Sequence, residues 1–98
     1  MSDVYAELGA LLVPLKTDAA AKVWVEIECG DGYTDLIFWQ ELNGIRSQPN
    51  PDPQVQFDIT RTLKRLRQHW PGPLWQAATF TLQADDKFNL HVTKYQDA

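Results

Sequence analysis

Apolar and polar residues alternate with a period of two in four stretches of the chain, the pattern of half-buried β-strands. The second stretch also contains an unbroken apolar run, Leu36–Trp39, which favours a strand covered on both faces for part of its length. The turn sequences at 30–32 and 84–87 join the four stretches into two hairpins. The predicted strands cover residues 23–29, 33–40, 78–83 and 88–93.

Two other stretches place apolar residues at helical spacing. The first follows Ser2, a suitable N-cap, and should end just before Pro14, because proline cannot continue a helix. The second has Asp52 as its N-cap and Pro53 in its first position, and the Pro-Gly-Pro sequence at 71–73 ends it. Its apolar stripe consists of Val55, Ile59, Leu63, Leu66 and Trp70.

Prolines at alternate positions interrupt residues 42–53, so this segment is predicted to be a surface loop. The elements then follow the order helix, hairpin, loop, helix, hairpin. This order predicts one α+β domain over residues 1–98, with a four-stranded antiparallel sheet made of two hairpins and both helices on one face. A chain of 98 residues, 44% of them hydrophobic, suits one such domain.

The sequence shows no signal for a membrane or for export. No apolar run approaches the roughly 20 residues that a membrane-spanning helix needs. The N-terminus begins with Ser2 and Asp3 rather than with a basic stretch and an apolar core. The single cysteine, Cys29, cannot form an internal disulfide, which fits a reducing compartment. We therefore expect a cytoplasmic protein.

Charge is unevenly distributed along the chain, whose net charge is -4. Four basic residues and one acidic residue lie between Pro53 and Trp70, so this stretch carries +3 and the rest of the chain −7. The four basic residues, Arg61, Lys64, Arg65 and Arg67, either form a solvated helix face or contact nucleic acid. The strongly acidic remainder disfavours nucleic acid as a partner, because a phosphate backbone attracts Lys and Arg.

Residues suited to catalysis or metal binding are few. The two histidines, His69 and His91, have no evident partner for acid–base chemistry, and Cys29 lies on the apolar side of the first strand. The chain has no Cys-x-x-Cys pair and no calcium or phosphate loop. We expect neither an enzyme nor a cofactor or metal site.

The first hairpin offers a candidate protein interface. Glu26 and Glu28 project to the same side of their strand as Trp24, because side chains two residues apart share a face. An aromatic residue surrounded by charges is a common element of interfaces. The alternative is a solvated acidic face with Trp24 partly covered by a helix. The candidate binding residues are Trp24, Glu26, Glu28, Asp31 and Asp35, followed by Asp85 and Asp86 in the second hairpin.

The second half of the chain resembles the YezG-like family of small bacterial immunity proteins. The similarity extends from Leu63 to Asp97, with a weaker similarity over residues 23–40. Its elements are the helix end Leu-x-x-Leu-Arg, then Leu74-Trp75, Phe80-Thr81-Leu82, Asp85-Asp86-Lys87-Phe88-Asn89, and Tyr95 with Asp97. The family has glycine in the last turn where this chain has Asp86, and relatives usually continue beyond the point where this chain stops.

This resemblance implies an antitoxin that binds and neutralises the toxic C-terminal domain of an effector delivered by contact-dependent growth inhibition. Many such effector domains are nucleases, and these are basic because they must bind a phosphate backbone. An acidic protein without catalytic residues suits the inhibition of such a nuclease. The alternative is an adaptor module that binds a host protein or peptide through an exposed edge strand.

Overall fold

Each of two α-helices is followed by a group of strands in a computed structural model that describes residues 4–95 apart from 17, 19, 31, 71, 73 and 86. The predicted N-cap Ser2 and the prolines at 71 and 73 lie outside the described residues. The helices are α1 (Val4–Leu12), followed by a 3₁₀ turn (Val13–Leu15), and α2 (Pro53–Gln68). The strands are β1 (Lys22–Gly30), β2 (Tyr33–Leu42), β3 (Ile45–Ser47), β4 (Trp75–Leu82) and β5 (Phe88–Tyr95).

The strands form one antiparallel sheet in the order β3-β2-β1-β4-β5. The prediction of four strands is therefore wrong, because β3 lies within the segment 42–53 that was assigned to a loop. Asn43 and Gly44 have φ values of 55° and 78°, which suit a two-residue hairpin turn and return the chain beside β2. The prolines follow β3 in the sequence, so they limit its length to three residues without preventing its pairing.

One side of β1 forms the centre of the hydrophobic core. Val23, Val25 and Ile27 are at most 3% exposed, as the alternation predicts. Phe80 and Leu82 of β4 are buried in the same cluster. Both helices contribute side chains to this cluster, namely Leu8, Leu12, Ile59, Leu63 and Leu66. Whether both helices lie on one face of the sheet stays a prediction.

The helix ends follow local sequence signals. The Asp52 carboxylate accepts a hydrogen bond from the Gln54 backbone N–H at 2.9 Å, so the predicted cap of α2 is confirmed. Helix α1 ends at Leu12, and Pro14 lies in the 3₁₀ turn that follows. Arg65 of α2 forms an ion pair with Glu7 of α1 at 2.9 Å, which connects the two helices. None of the helices in the described part of the chain is long and apolar enough to cross a membrane.

We predict that Leu63→Ala lowers the free energy of unfolding by about 2–5 kcal/mol, because Leu63 is 1% exposed and its truncation leaves a cavity. The same change at Leu74, which is 44% exposed, should cost less than about 1 kcal/mol. Urea unfolding followed by circular dichroism measures both values. Equal losses in the two variants would contradict the position of α2 in the core.

Candidate functional site

The pairing of β1 with β2 brings one set of side chains to the side of the sheet turned away from the core. Trp24 pairs with Trp39, Glu26 with Ile37, and Glu28 with Asp35. Directly opposed residues in an antiparallel pair share a face, and these positions alternate with the buried ones of β1. We call this set the outer face; it consists of Trp24, Glu26, Glu28, Asp35, Ile37 and Trp39.

Three carboxylates of the outer face surround a shallow depression of about 310 Å³. They belong to Glu26, Glu28 and Asp35, and Ile37 forms an apolar part of the wall. Short side chains of β4, such as Thr79, complete the opposite wall. Among the described residues that line this depression there is no Lys or Arg. The fold thus concentrates three negative charges beside an exposed isoleucine.

Tyr33 positions one of these carboxylates. Its O–H donates a hydrogen bond to Glu28 Oε1 at 3.2 Å. This bond, followed by the negative charge of Glu28, raises the pKa of Tyr33 above its ordinary value of 10.0. The Tyr33 ring lies across Gly30, where a methyl group would overlap it. The absence of a side chain at Gly30 therefore lets the ring extend toward Glu28.

Trp24 is part of an aromatic and cationic cluster rather than an isolated anchor. Its ring stacks with that of Trp39, with centroids 6.4 Å apart and an interplanar angle of 21°. Lys22 Nζ and the Arg46 guanidinium lie 5.2 Å and 5.5 Å from the Trp24 ring centroid, within cation–π range. Arg46 also forms an ion pair with Glu41 at 3.2 Å. Side chains of the sheet itself thus cover part of Trp24.

Asp85 of the second hairpin lies away from the acidic depression. Asp85 lies in the turn after Leu82, and Leu82 pairs with Val23, whereas the acidic depression lies beside Glu28. Five residues of extended β1 separate these positions, which corresponds to roughly 17 Å. Asp85 also accepts a hydrogen bond from the Lys87 backbone N–H at 3.1 Å. Asp85 is therefore not part of the acidic depression.

The predicted turn residues Asp31 and Asp86 lie outside the described residues. Of the predicted binding residues, the structure therefore brings together four. Glu26, Glu28 and Asp35 surround one depression, and Trp24 lies on the same face of the sheet.

The basic side chains of α2 are largely engaged within the protein. Arg61 pairs with Asp58 at 3.2 Å, and Arg65 with Glu7 at 2.9 Å. Arg67 Nε donates a hydrogen bond to the Trp75 carbonyl at 2.9 Å. These contacts offset part of the positive charge that a nucleic-acid surface would need. In the described part of the chain, no group of three or more His, Cys, Asp or Glu side chains is placed to hold a metal ion.

Three residues of the site were not among the predicted ones. Ile37 and Tyr33 are each 46% exposed, and Trp39 stacks with Trp24. A signal was present in the turn sequence after Cys29, because the pairing of Gly30 with Tyr33 determines every other pair of the hairpin. The contact of Arg46 with Trp24 depends on β3, whose Asn43-Gly44 turn is a hairpin signal that was assigned to the loop 42–53.

The chain was compared with known proteins. No family model matches it, and no curated protein matches it. The resemblance to the YezG-like family therefore stays a prediction, and the functional argument depends on the geometry described above.

We predict that Glu28→Gln lowers the pKa of Tyr33 toward 10.0, because the negative charge is removed and the neutral amide oxygen accepts a weaker hydrogen bond than the carboxylate. Glu26→Gln, a matched change two residues away, should leave that pKa unchanged. Ultraviolet titration of the phenol, with Tyr33→Phe identifying its contribution, measures the effect. Since the pKa is raised by folding, the stabilising contribution is present below pH 10 and disappears as the pH rises through the raised value. A Tyr33 pKa that is insensitive to Glu28→Gln would contradict the hydrogen bond.

Proposed function

We propose that this protein is an immunity protein, which binds and neutralises a cognate toxin domain through its outer face and without catalysis. The observation that carries this proposal is the acidic depression formed by Glu26, Glu28 and Asp35 next to the exposed Ile37. Protein interfaces combine apolar contact area with charges that select the partner. The protein would act in the cytoplasm, in keeping with its resemblance to the YezG-like family.

The charge of the outer face indicates the chemistry of the partner. Three carboxylates without a lining Lys or Arg among the described residues favour a cationic surface. A toxin domain that cleaves nucleic acid needs such a surface to hold phosphates. We therefore propose a basic nuclease domain, delivered by contact-dependent growth inhibition, as the partner. Occupation of its cleft by the acidic face would exclude the nucleic acid.

The outer face also has the shape that such binding needs if both helices pack on the opposite side of the sheet. The burial of α1 and α2 side chains in the cluster that contains Val23 and Val25 supports this arrangement. The partner would then meet a sheet surface with few obstacles. Ile37 and Tyr33 would supply apolar area, and the carboxylates would pair with Lys or Arg of the toxin.

Co-expression tests the proposal directly. An immunity gene lies immediately downstream of its toxin gene, so the C-terminal domain encoded upstream is the toxin to use. Expressed alone, this domain should arrest growth, and co-expression of the present chain should restore it. The two proteins should then co-purify as a stoichiometric complex. Arrest that persists despite a well-expressed, folded chain would overturn the proposal.

Charge reversal locates the interface. We predict that the double change Glu26→Lys and Glu28→Lys slows association with the toxin domain by about tenfold or more at low salt, because electrostatic steering is lost. Asp85→Lys, at the opposite end of β1, should change the rate much less. Surface plasmon resonance at several salt concentrations measures both rates. An equal effect of the two changes would argue against the outer face as the binding surface.

Ile37→Ser tests the apolar part of the face. Ile37 is 46% exposed, so we predict that this change has little effect on stability but raises the dissociation rate of the complex severalfold. Ile45→Ser is the matched control, because Ile45 is 73% exposed in the edge strand β3 and lies outside the outer face. Binding kinetics and thermal unfolding of both variants give the comparison. A faster dissociation in Ile45→Ser alone would move the interface to the β3 edge.

An adaptor function is the second candidate, and the position of β5 favours it. In the part of the chain that the structure describes, this eight-residue strand ends the sheet and pairs with β4 alone. An extended peptide can add to such an edge through backbone hydrogen bonds. Capture of a host protein that binds equally well to the Glu26→Lys/Glu28→Lys variant would favour this function over the first.

A further inference from the structure

The two ends of the outer face differ in charge. At one end, Lys22 of β1 and Arg46 of β3 lie over the Trp24 ring. At the other end, Glu28 pairs with Asp35, and none of the described residues that line the depression beside them is Lys or Arg. A surface of this kind is complementary to an inverted copy of itself, because a two-fold axis brings each end over the other. We propose that the outer face binds a second copy of this chain, sheet against sheet.

The pairing of β1 with β2 shows where the axis crosses the sheet. Val25 and Phe38 are directly opposed, and Lys22 and Glu28 lie three residues on either side of Val25. An axis at this level, perpendicular to the strands and parallel to the sheet, places Lys22 over Glu28 of the second copy and Glu28 over its Lys22. The Lys22 ammonium has three N–H groups, so it can contact its own Trp24 ring and a carboxylate at once.

The acidic depression can receive Lys22 of the second copy. It has a volume of about 310 Å³, and the exposed Ile37 in its wall suits the methylene stem of a lysine. Two packed sheets lie about 10 Å apart, a gap that an extended lysine side chain largely crosses. Lys94 of β5 does not line the depression; it pairs with Ala77 and lies two strands, about 10 Å, from Glu28.

The same axis brings apolar side chains together between the charged ends. Ile37 and Trp39 lie one residue on either side of Phe38, so Ile37 of each copy meets Trp39 of the other. Ile37 is 46% exposed, and Trp39 stacks on Trp24, which widens the aromatic surface. The burial of this apolar area supplies the stabilisation that exposed ion pairs alone do not.

Strand β3 adds a second pair of opposite charges. Arg46 pairs with Glu41, which is level with Lys22, so the axis places Arg46 about one strand, roughly 5 Å, to the side of Asp35 of the second copy. The Arg46 side chain is 66% exposed. A guanidinium has five N–H donors, so the contacts of Arg46 with Glu41 and Trp24 are compatible with a further carboxylate.

The size of the outer side of the sheet predicts a weak dimer. Its four long strands have eight to ten residues each. At strand dimensions of about 4.8 Å by 3.3 Å per residue, they cover roughly 500 Å² in projection. Stable complexes bury about 800 Å² on each partner, so we expect a dimer that forms at micromolar concentrations and dissociates readily.

Self-association does not rest on the proposed immunity function, because it is measured on this protein alone. If both proposals hold, the toxin domain and the second copy compete for the outer face. The dimer would then cover the apolar part of this face until the toxin arrives. Either proposal can fail without the other.

Sedimentation velocity tests the dimer directly. The chain should change from monomer to dimer between about 1 μM and 500 μM, a range that brackets the affinity of so small an interface. Lys22→Glu and Glu28→Lys should each raise the dissociation constant of the dimer at least tenfold, because two attractive contacts become repulsive. Lys87→Glu is the matched control: it reverses an 85% exposed lysine of the other hairpin and should have no such effect.

A mixture of the two interface variants tests the arrangement itself. Each reversed charge then faces the other, so an equal mixture of Lys22→Glu and Glu28→Lys should dimerise about as well as the unchanged chain. Circular dichroism shows that each variant is folded, and Lys22→Gln gives a milder change if charge reversal reduces folding. A monomer throughout the concentration range overturns the proposal. A dimer that resists both reversals, or that mixing does not restore, also overturns it.

Discussion

The alternation of side chains along β1 is the constraint on which the rest of the structure depends. This strand is paired on both edges, with β2 and with β4, so its side chains can point only into the core or away from it. Val23, Val25 and Ile27 are buried by this arrangement, and Glu26 and Glu28 are placed on the other side. A shift of the register by one residue would bury two carboxylates, so the core that stabilises the fold also sets the position of the acidic residues.

The outer face concentrates negative charge at one place. Three carboxylates, those of Glu26, Glu28 and Asp35, lie together around one depression. Lys22 and Arg46 lie instead over the Trp24 ring, and none of the described residues that line the depression is Lys or Arg. A partner with a cationic surface would be steered toward this part of the sheet.

Much of the fold was predictable because its signals are local. The cap at Asp52 and the alternation over residues 23–29 involve neighbours within four positions, and both are confirmed. The apolar run at 36–39 contains no polar residue that would show which face of the strand is exposed. Phe38 is buried, whereas Ile37 is 46% exposed, so the outer side of this strand is open at Ile37. Apolar character alone does not specify which face of a strand is covered, and that is why Ile37 was missed as a site residue.

The sequence by itself determined two helices, four of the five strands and the side of β1 on which its acidic residues lie, because helical and strand periodicity depend on residues close along the chain. The fifth strand, β3, has a local signal of its own in the Asn43-Gly44 turn, which was assigned to a loop because of the prolines that follow. Only the tertiary structure decided that Arg46 lies over Trp24 and that Asp85 lies far from the acidic depression. It also decided that side chains of both helices are buried in one cluster with those of β1 and β4. These features arise from contacts between residues distant in sequence, whose pairing is selected by the burial of the whole core rather than by any local pattern.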